Sequence, residues 1–208
     1  MPKGNIKRPN AKCPYCSSLE RVRLLDLYLK NETDIYKKEN IKILHFAPEE
    51  SLFIKLNRPG VTYIDGDINP ANAQNIIDIT NIQFEDEYFD YIICSHVLGH
   101  VPNEEKAISE MFRVLKIGGN AFVMTLLNQN ADKTFEDPAI TNANDRLNHY
   151  GEPDLCRLHG NDFSKRLSKS GIKVERINYT EKLDIETLKK GSFGNGDREI
   201  IFKCTKQK

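Results

Sequence analysis

The chain has 208 residues, a length that suits one domain with at most a small appendage. Its 30 Lys and Arg residues balance 30 Asp and Glu residues, so the formal net charge is zero. This excludes a protein that binds nucleic acid or an anionic membrane through net charge alone. No apolar run approaches the roughly 18 residues of a membrane span, and five scattered cysteines do not form a disulfide framework, so we expect a cytoplasmic globular protein.

Residues 1–40 are predicted to form an N-terminal segment with a C-x-x-C motif, Cys13 and Cys16, ahead of a helix. An apolar stripe of helical spacing predicts that this helix docks on the rest of the protein: Leu19, Val22, Leu25 and Leu29. The two cysteines supply half of a tetrahedral zinc site and no second pair follows, so zinc is not the expected occupant. A structural remnant, a zinc half-site and a redox pair stay open as alternatives.

From residue 41 onward, short β-branched runs alternate with helical segments. Five strands are predicted in the first two thirds of the chain, at residues 41–46, 61–67, 75–79, 89–95 and 120–127. Helices are predicted between the first two strands and, over residues 103–116, before the fifth. This order favours an α/β fold with a doubly wound, mostly parallel, Rossmann-like sheet.

The last third departs from that alternation. A helix over 161–171 precedes two further strands, at 172–180 and 197–205, with no full crossover helix between them. Strands joined in that way are expected to be antiparallel neighbours, so residues 41–208 form one domain that ends in an antiparallel hairpin. Residues 128–160 are predicted to be a long, polar, irregular loop, and such loops at strand ends usually hold substrates.

Polar residues follow four of the predicted strands. The strand ends read HFAPEE, DGD, DIT and CSHVLGH. In an open α/β sheet the ligand lies at the carboxyl ends of the strands, where the strand order reverses. Asp67 follows the first loop by about 20 residues, the spacing at which an acidic residue meets ribose hydroxyls. These strand ends therefore predict a nucleoside-binding edge.

Four segments between residues 41 and 127 resemble successive motifs of the class I S-adenosylmethionine-dependent methyltransferases: IKILHFAPEESL, VTYIDGDINP, NIIDITNIQFEDEYFDYIICSHVLGHV and EMFRVLKIGGNAFV. Within that family the chain is similar to the type 11-like subgroup, whose fourth strand reads FD-x-I before V-L-x-H-V and R-V-L-K-x-G-G. The resemblance implies S-adenosylmethionine as cofactor, methyl transfer as activity and a seven-stranded sheet with a final antiparallel hairpin.

The resemblance implies that the first loop wraps the methionine half of the cofactor through His45, Phe46, Ala47 and Glu49. The family usually has a glycine-rich sequence at this place, whereas this loop contains no glycine. Pro48 also removes one amide donor. A subset of the family similarly reads H-F-A-P-E here, and the amine of the cofactor could meet Glu49.

The other implied cofactor contacts are Asp67 and Ile68 after the second strand, Asp78 and Ile79 after the third, and Ser95 and His96 after the fourth. Asp67 would take the ribose hydroxyls, with Asp65 as a nearby alternative. Asp78 would accept a hydrogen bond from the adenine amino group. Ser95 and His96 would face the methionine half and the methyl group.

The segment NHYGEPDLCRLHGNDFSKRL resembles a stretch of the same subset that reads F-G-x-x-D-H-x-R-x-Y-G-x-D-F. Arg157 would clamp an acidic group of the acceptor or the cofactor carboxylate, or else form a structural salt bridge. His149 and His159 are the favoured catalytic candidates, because imidazole titrates near neutrality. A general base is needed only for a hydroxyl or protonated amine acceptor.

Together these features predict methyl transfer to a small molecule or sugar. One rival is a non-catalytic domain that kept the fold for binding a cofactor or a partner. Another is a nicotinamide-dependent oxidoreductase, which the absent G-x-G-x-x-G and the second acidic strand end disfavour. Nucleic acid is not an expected partner, because basic and aromatic residues are not interleaved. No membrane partner is expected, and the sequence carries no signal for an oligomeric state.

Overall fold

The computed structural model describes residues 10–169, 171–194 and 196–208. The helices are α1 (Glu20–Glu32), α2 (Glu50–Leu56), α3 (Glu104–Val114), α4 (Ala143–Tyr150), α5 (Phe163–Leu167) and α6 (Ile185–Gly191). The strands are β1 (Ile41–Phe46), β2 (Val61–Gly66), β3 (Phe89–Ser95), β4 (Leu115–Met124), β5 (Ile172–Ile177) and β6 (Ile201–Lys206). Short 3-10 helices cover Leu98–His100 and Tyr179–Lys182.

The strands form one mixed sheet in the order β2-β1-β3-β4-β6-β5. β1 pairs in parallel with both β2 and β3, so the strand order reverses at β1. β6 runs antiparallel between β4 and β5, as expected for strands joined without a crossover helix. The α/β class and the antiparallel ending predicted from the sequence are confirmed.

Alternate side chains of the central strands enter two apolar layers on opposite faces of the sheet. One layer lies against α3 and contains Leu44, Phe46, Ile92, Cys94, Ile108, Met111 and Phe112. The other lies against α1 and α2 and contains Ile43, Ile93, Phe122, Met124, Val22, Leu25, Leu29 and Leu52. The burial of β1 and β3 on both faces explains their almost continuous apolar sequences.

The third predicted strand, residues 75–79, is not a strand, so the described residues form six strands rather than seven. One isolated parallel bridge, from Asp67 to Ile76, joins this segment to the end of β2. The carboxylate of Asp65 accepts hydrogen bonds from the Gln74 N–H at 2.9 Å and from Asn75 Nδ2 at 2.7 Å. These side-chain contacts, together with the backbone hydrogen bonds from the Asp67 N–H to Asn75 O (3.2 Å) and from the Ile77 N–H to Asp67 O (3.0 Å), hold the segment beside β2.

Two flanking segments complete the fold. The N-terminal helix docks as predicted, with Val22, Leu25 and Leu29 buried against the sheet. The 128–160 segment is not wholly irregular, because it contains α4 and two isolated bridges, Leu127 to His159 and Phe135 to Leu158. In the described part of the chain, no helix is both long and apolar enough to cross a membrane.

Candidate functional site

The candidate site lies at the carboxyl edge of the sheet, where β1, β2 and β3 end side by side. β1 leaves the sheet through Ala47, which has a left-handed φ of 46° and donates its N–H to Gly66 O at 2.8 Å. β3 leaves through His96, with a φ of 56° and an N–H that donates to Met124 O at 2.8 Å. Such backbone costs about 1–3 kcal/mol at a non-glycine residue. The glycine-free first loop therefore reaches a positive φ at its smallest side chain.

His45 is fully buried and faces away from solvent. Its Nδ1 accepts from the Tyr63 hydroxyl at 2.8 Å, and its Nε2 donates to Glu49 Oε2 at 3.0 Å. Burial raises the pKa of Tyr63, so this hydroxyl stays protonated. The structure thus places His45 behind Glu49, where it positions the carboxylate at the start of α2. The Phe46 side chain is buried in the α3 layer, which leaves its backbone facing the edge.

The two aspartates at the end of β2 have different surroundings. Asp65 is buried and both of its carboxylate oxygens bind the segment that follows, at Gln74 and Asn75. Asp67 is half-buried and accepts from the Asn69 N–H at 2.8 Å and from Asn72 Nδ2 at 3.2 Å. A carboxylate accepts up to about four hydrogen bonds, so Asp67 keeps capacity for a vicinal diol. Of the two, Asp67 is the one available to a ligand.

The segment after β2 presents polar and apolar groups to the same edge. Asp78 is exposed, and its Oδ1 accepts from the Thr80 N–H at 2.7 Å and from Thr80 Oγ1 at 2.8 Å. Ile68 is 72% exposed, so its side chain is free to be covered by a ring of a ligand. Ile79 is buried in the α3 layer, so its side chain supports this edge from below.

Ser95, at the end of β3, is buried, yet its Oγ has no hydrogen-bond partner among the described residues. A buried hydroxyl without a partner costs free energy, so this position points to a ligand or water. Next to it, His96 Nε2 donates to the carbonyl of Arg198 at 3.3 Å. Burial, aided by the charges of Arg21 and Arg198, lowers the pKa of His96 well below its usual value. His96 is therefore neutral at pH 7 and keeps Nδ1 as an acceptor.

Arg157 is buried and ties the 128–160 segment to the turn after β3. Its guanidinium donates to the carbonyls of Leu98, Val101 and Pro102 at 2.7–3.0 Å and to Glu136 Oε2 at 2.8 Å. These contacts occupy four of the five guanidinium N–H donors. This placement favours the structural salt bridge over the substrate clamp.

His159 is also fully buried, beneath the same segment. Its Nδ1 lies 2.7 Å from Thr125 Oγ1, and its Nε2 lies 2.5 Å from Glu104 Oε1. Burial lowers the pKa of His159 despite the opposing carboxylate of Glu104. The neutral ring donates from Nε2 and accepts at Nδ1, and both nitrogens are occupied. His149, by contrast, is exposed on α4, with its ring 6.1 Å from that of Phe135.

The structure also brings together charged residues that the sequence reasoning missed. Arg198 Nη2 lies 2.5 Å from Glu152 Oε1, and His100 lies between Glu152 (3.8 Å) and Asp154 (3.3 Å). The positive charge of Arg198 works against a cation in this group. Arg21, in the first turn of α1, interacts electrostatically with Arg198 and Glu152. Nothing in the sequence marks these residues, because they come from four distant segments.

Cys13 and Cys16 lie in a turn ahead of α1. Cys16 is exposed, with its Sγ 3.0 Å from Ser18 Oγ. Hydrogen bonds from the Ser18 side chain and backbone, and then from Cys13, lower the pKa of Cys16 to about 7. Cys94 and Cys204 are buried within strands, and burial raises both of their pKa values.

A shallow cleft of about 400 Å³ opens beside the end of β2, a volume in the range of small-molecule sites. Its lining includes Pro48, Phe53, Asp65 and residues 70–74. The cleft therefore lies on the α2 side of the edge, away from Ser95 and His96.

Comparison with known proteins supports a methyltransferase. Residues 54–123 match a family model described as a methyltransferase domain. A Vibrio campbellii protein, the ubiquinone/menaquinone biosynthesis C-methyltransferase UbiE, is 35% identical over 92 residues, which are 44% of this chain and 31% of that protein. The chain thus matches less than one third of the length of this curated relative.

Solved structures share the fold at low sequence identity. A Burkholderia thailandensis 1,6-didemethyltoxoflavin-N1-methyltransferase, with its substrate and S-adenosylhomocysteine bound, has a TM-score of 0.55 at 9% identity, over 91% of this chain and 78% of that one. The cyclase SpnF has a TM-score of 0.60 at 13% identity, over 89% and 81% of the two chains. These likenesses show the fold alone, and the second is named for a different reaction.

Proposed function

We propose that this protein is an S-adenosylmethionine-dependent methyltransferase that acts on a small molecule, and that it belongs to the subgroup with an HFAPE first loop. One observation carries the proposal. The segment that matches the methyltransferase model contains the ends of β2 and β3, with Asp67, Ser95 and His96 at one edge of the sheet. The buried Ser95 Oγ, which has no partner in the described part of the chain, supports a ligand at this edge.

The residues at this edge fit the parts of the cofactor. Asp67 would hold the ribose hydroxyls, and exposed Ile68 would cover one face of the adenine. Asp78 would accept a hydrogen bond from the adenine amino group at Oδ2, since Thr80 binds only its Oδ1. Ala47 and Glu49 would border the methionine half. The bound cofactor would supply a methyl group activated by a sulfonium.

The chain itself has to place the acceptor and exclude water. At the strand ends, His96 Nε2 donates to the Arg198 carbonyl, so the lone pair of the neutral ring lies on Nδ1. This Nδ1 has no hydrogen-bond partner among the described residues. We propose that its Nδ1 receives the proton when the acceptor is a hydroxyl or a protonated amine. Its lowered pKa keeps it unprotonated at pH 7.

We propose that the 128–160 segment is a lid with a fixed base and a movable tip. Arg157 and His159 hold the base to β4 and to the turn after β3. The tip contains α4 with exposed His149, and α4 ends at Gly151 with a φ of 96°. His149 is therefore the lid histidine that can meet an acceptor. A cytoplasmic location stays a prediction from the sequence.

The test is calorimetric titration of the purified protein with S-adenosylhomocysteine, with NAD as the matched control. We expect micromolar-range binding of the former, a rise in Tm by mass action and no heat with NAD. A folded protein that binds neither ligand at millimolar concentration would support the non-catalytic rival. Binding of NAD alone would support the oxidoreductase.

A further inference from the structure

Arg21 is a largely buried cation that has no counter-ion in contact among the described residues. It lies in the first turn of α1, and α1 packs on the sheet face toward which Ile93 and Met124 point. Its Nε is fully buried, and none of its guanidinium nitrogens makes a hydrogen bond or ion pair among the described residues. Buried arginines are almost always paired, because an unpaired buried charge is costly. Arg21 can therefore bind an anion that the described residues do not supply.

The groups that interact electrostatically with Arg21 lie at the carboxyl edge of the sheet. Its charge acts on Glu49 after β1, on Glu152 in the lid and on Arg198 before β6. It also acts on His96, at the end of β3. Arg198 already pairs with Glu152 at 2.5 Å, so Arg21 is the cation of this group with no contact partner in the described segments.

A second orphan group belongs to the same edge. Ser95 follows Ile93 by two residues along β3, so both side chains point to the α1 face of the sheet. The Ser95 Oγ is buried and has no partner within the described ranges. A hydroxyl and a guanidinium without partners on the face that α1 covers can both donate to one carboxylate.

Glu49 supplies the complementary charge. His45 holds its Oε2 at 3.0 Å, and the Glu49 side chain keeps 23% of its surface exposed. Arg21 and Glu49 interact electrostatically without an ion pair between them among the described residues, and their charges complement the two charges of an α-amino acid, with Arg21 for the carboxylate and Glu49 for the ammonium group. The methionine half of the cofactor carries this pair of charges.

We propose that Arg21, together with Ser95, binds the α-carboxylate of the cofactor's methionine half and that Glu49 binds its ammonium group. This inference rests on the proposed function. It assigns the N-terminal helix to the binding site and explains how a first loop without glycine holds an amino acid through side chains.

The experiment compares two ligands that differ in the amino acid half. Calorimetry measures Kd for S-adenosylhomocysteine and for 5′-methylthioadenosine, which lacks the amino acid, on the wild type, Arg21→Gln, Arg21→Lys and Lys30→Gln. Lys30 is an exposed cation on the same helix and serves as the control for charge removal. Thermal melts check that each variant is folded.

We expect Arg21→Gln to weaken S-adenosylhomocysteine binding by about 10- to 100-fold, as the loss of a charge-assisted contact predicts. Binding of 5′-methylthioadenosine should change by less than about twofold, and Arg21→Lys should recover part of the loss. An unchanged Kd for S-adenosylhomocysteine, or an equal loss for both ligands, would overturn the assignment while the proposed function stands. Failure of the wild type to bind either ligand would remove the proposed function itself.

Discussion

The imidazole of His159 and the carboxylate of Glu104 lie 2.5 Å apart, from Nε2 to Oε1, with both side chains buried. Arg166 pairs with the second oxygen of Glu104, and its other arm reaches Glu136, which also binds Arg157. This network joins α3, α5 and the base of the lid. Because these segments are far apart in the chain, it makes the lid base part of the folded core.

The network predicts a pH dependence of stability. Burial, against the opposing effect of Glu104, lowers the pKa of His159 below its usual 6.5, so the folded protein binds fewer protons than the unfolded chain in that range. Stability should therefore fall as the pH drops below about 6.5. The pKa of His96 is also lowered, so this residue acts on stability in the same direction. Urea unfolding between pH 7.5 and 5.5 should show this loss, with a flatter curve for His159→Gln than for the exposed control His149→Gln. Parallel curves would contradict the assignment.

Removal of Arg157 should destabilise the fold. Arg157→Ala leaves three carbonyls and one carboxylate without their donor, and we expect the free energy of unfolding to fall by at least about 3 kcal/mol. Lys165→Ala, at an exposed residue of α5, should change it by less than about 0.5 kcal/mol. Chemical denaturation measures both. A stable Arg157→Ala protein that binds cofactor but turns over no acceptor would instead support a role of Arg157 in binding the acceptor.

The two aspartates of β2 should separate binding from stability. Asp67→Ala removes the diol acceptor and should weaken S-adenosylhomocysteine binding by about 1–3 kcal/mol with little change in Tm. Asp65→Asn disturbs the contacts to Gln74 and Asn75 and should lower Tm instead. Calorimetry and thermal melts on the same two variants test both statements. The reverse pattern would exchange the two roles.

Thiol reactivity should single out Cys16. With its pKa lowered to about 7 by Ser18, its alkylation by iodoacetamide should rise through a midpoint near pH 7. Ser18→Ala should move that midpoint toward the usual value of 9.0. Cys94 and Cys204 should stay unmodified in the folded protein, since both are buried. Mass spectrometry of time-resolved digests measures each site, and equal labelling of all three would refute the prediction.

Hydrogen exchange should divide the lid. Residues 137–154, which include α4, should exchange more slowly when S-adenosylhomocysteine is added, because lids order on ligand binding. Residues 155–160 should already be protected without ligand, since the Cys156 and Leu158 N–H groups bind Gly99 and Phe135 carbonyls. If protection changes nowhere in residues 128–160 when ligand is added, the whole segment has a structural role and is not a lid.

The sequence alone determined the local elements of this protein. Strands such as IKILHF and FDYIICS are continuous apolar runs because the sheet is covered on both faces. The antiparallel ending followed from the missing crossover helix. The ribose contact of Asp67, inferred from its distance to the first loop, stays a prediction. Each of these signals is contained within a few neighbouring residues or one connection.

The tertiary structure decided which residues meet. Spacing cannot show that Arg157 reaches the carbonyl of Leu98, 59 residues away, or that His45 faces Tyr63 rather than solvent. It cannot show that the buried Ser95 Oγ has no partner among the described residues, or that helix α1 covers that face of the sheet through Val22 and Leu25. Hydrophobic periodicity indicates which side chains of a helix or strand are buried. Which distant group a side chain contacts is fixed only when the layers pack. Each buried charge then needs a partner, which is supplied either by the chain or by a ligand.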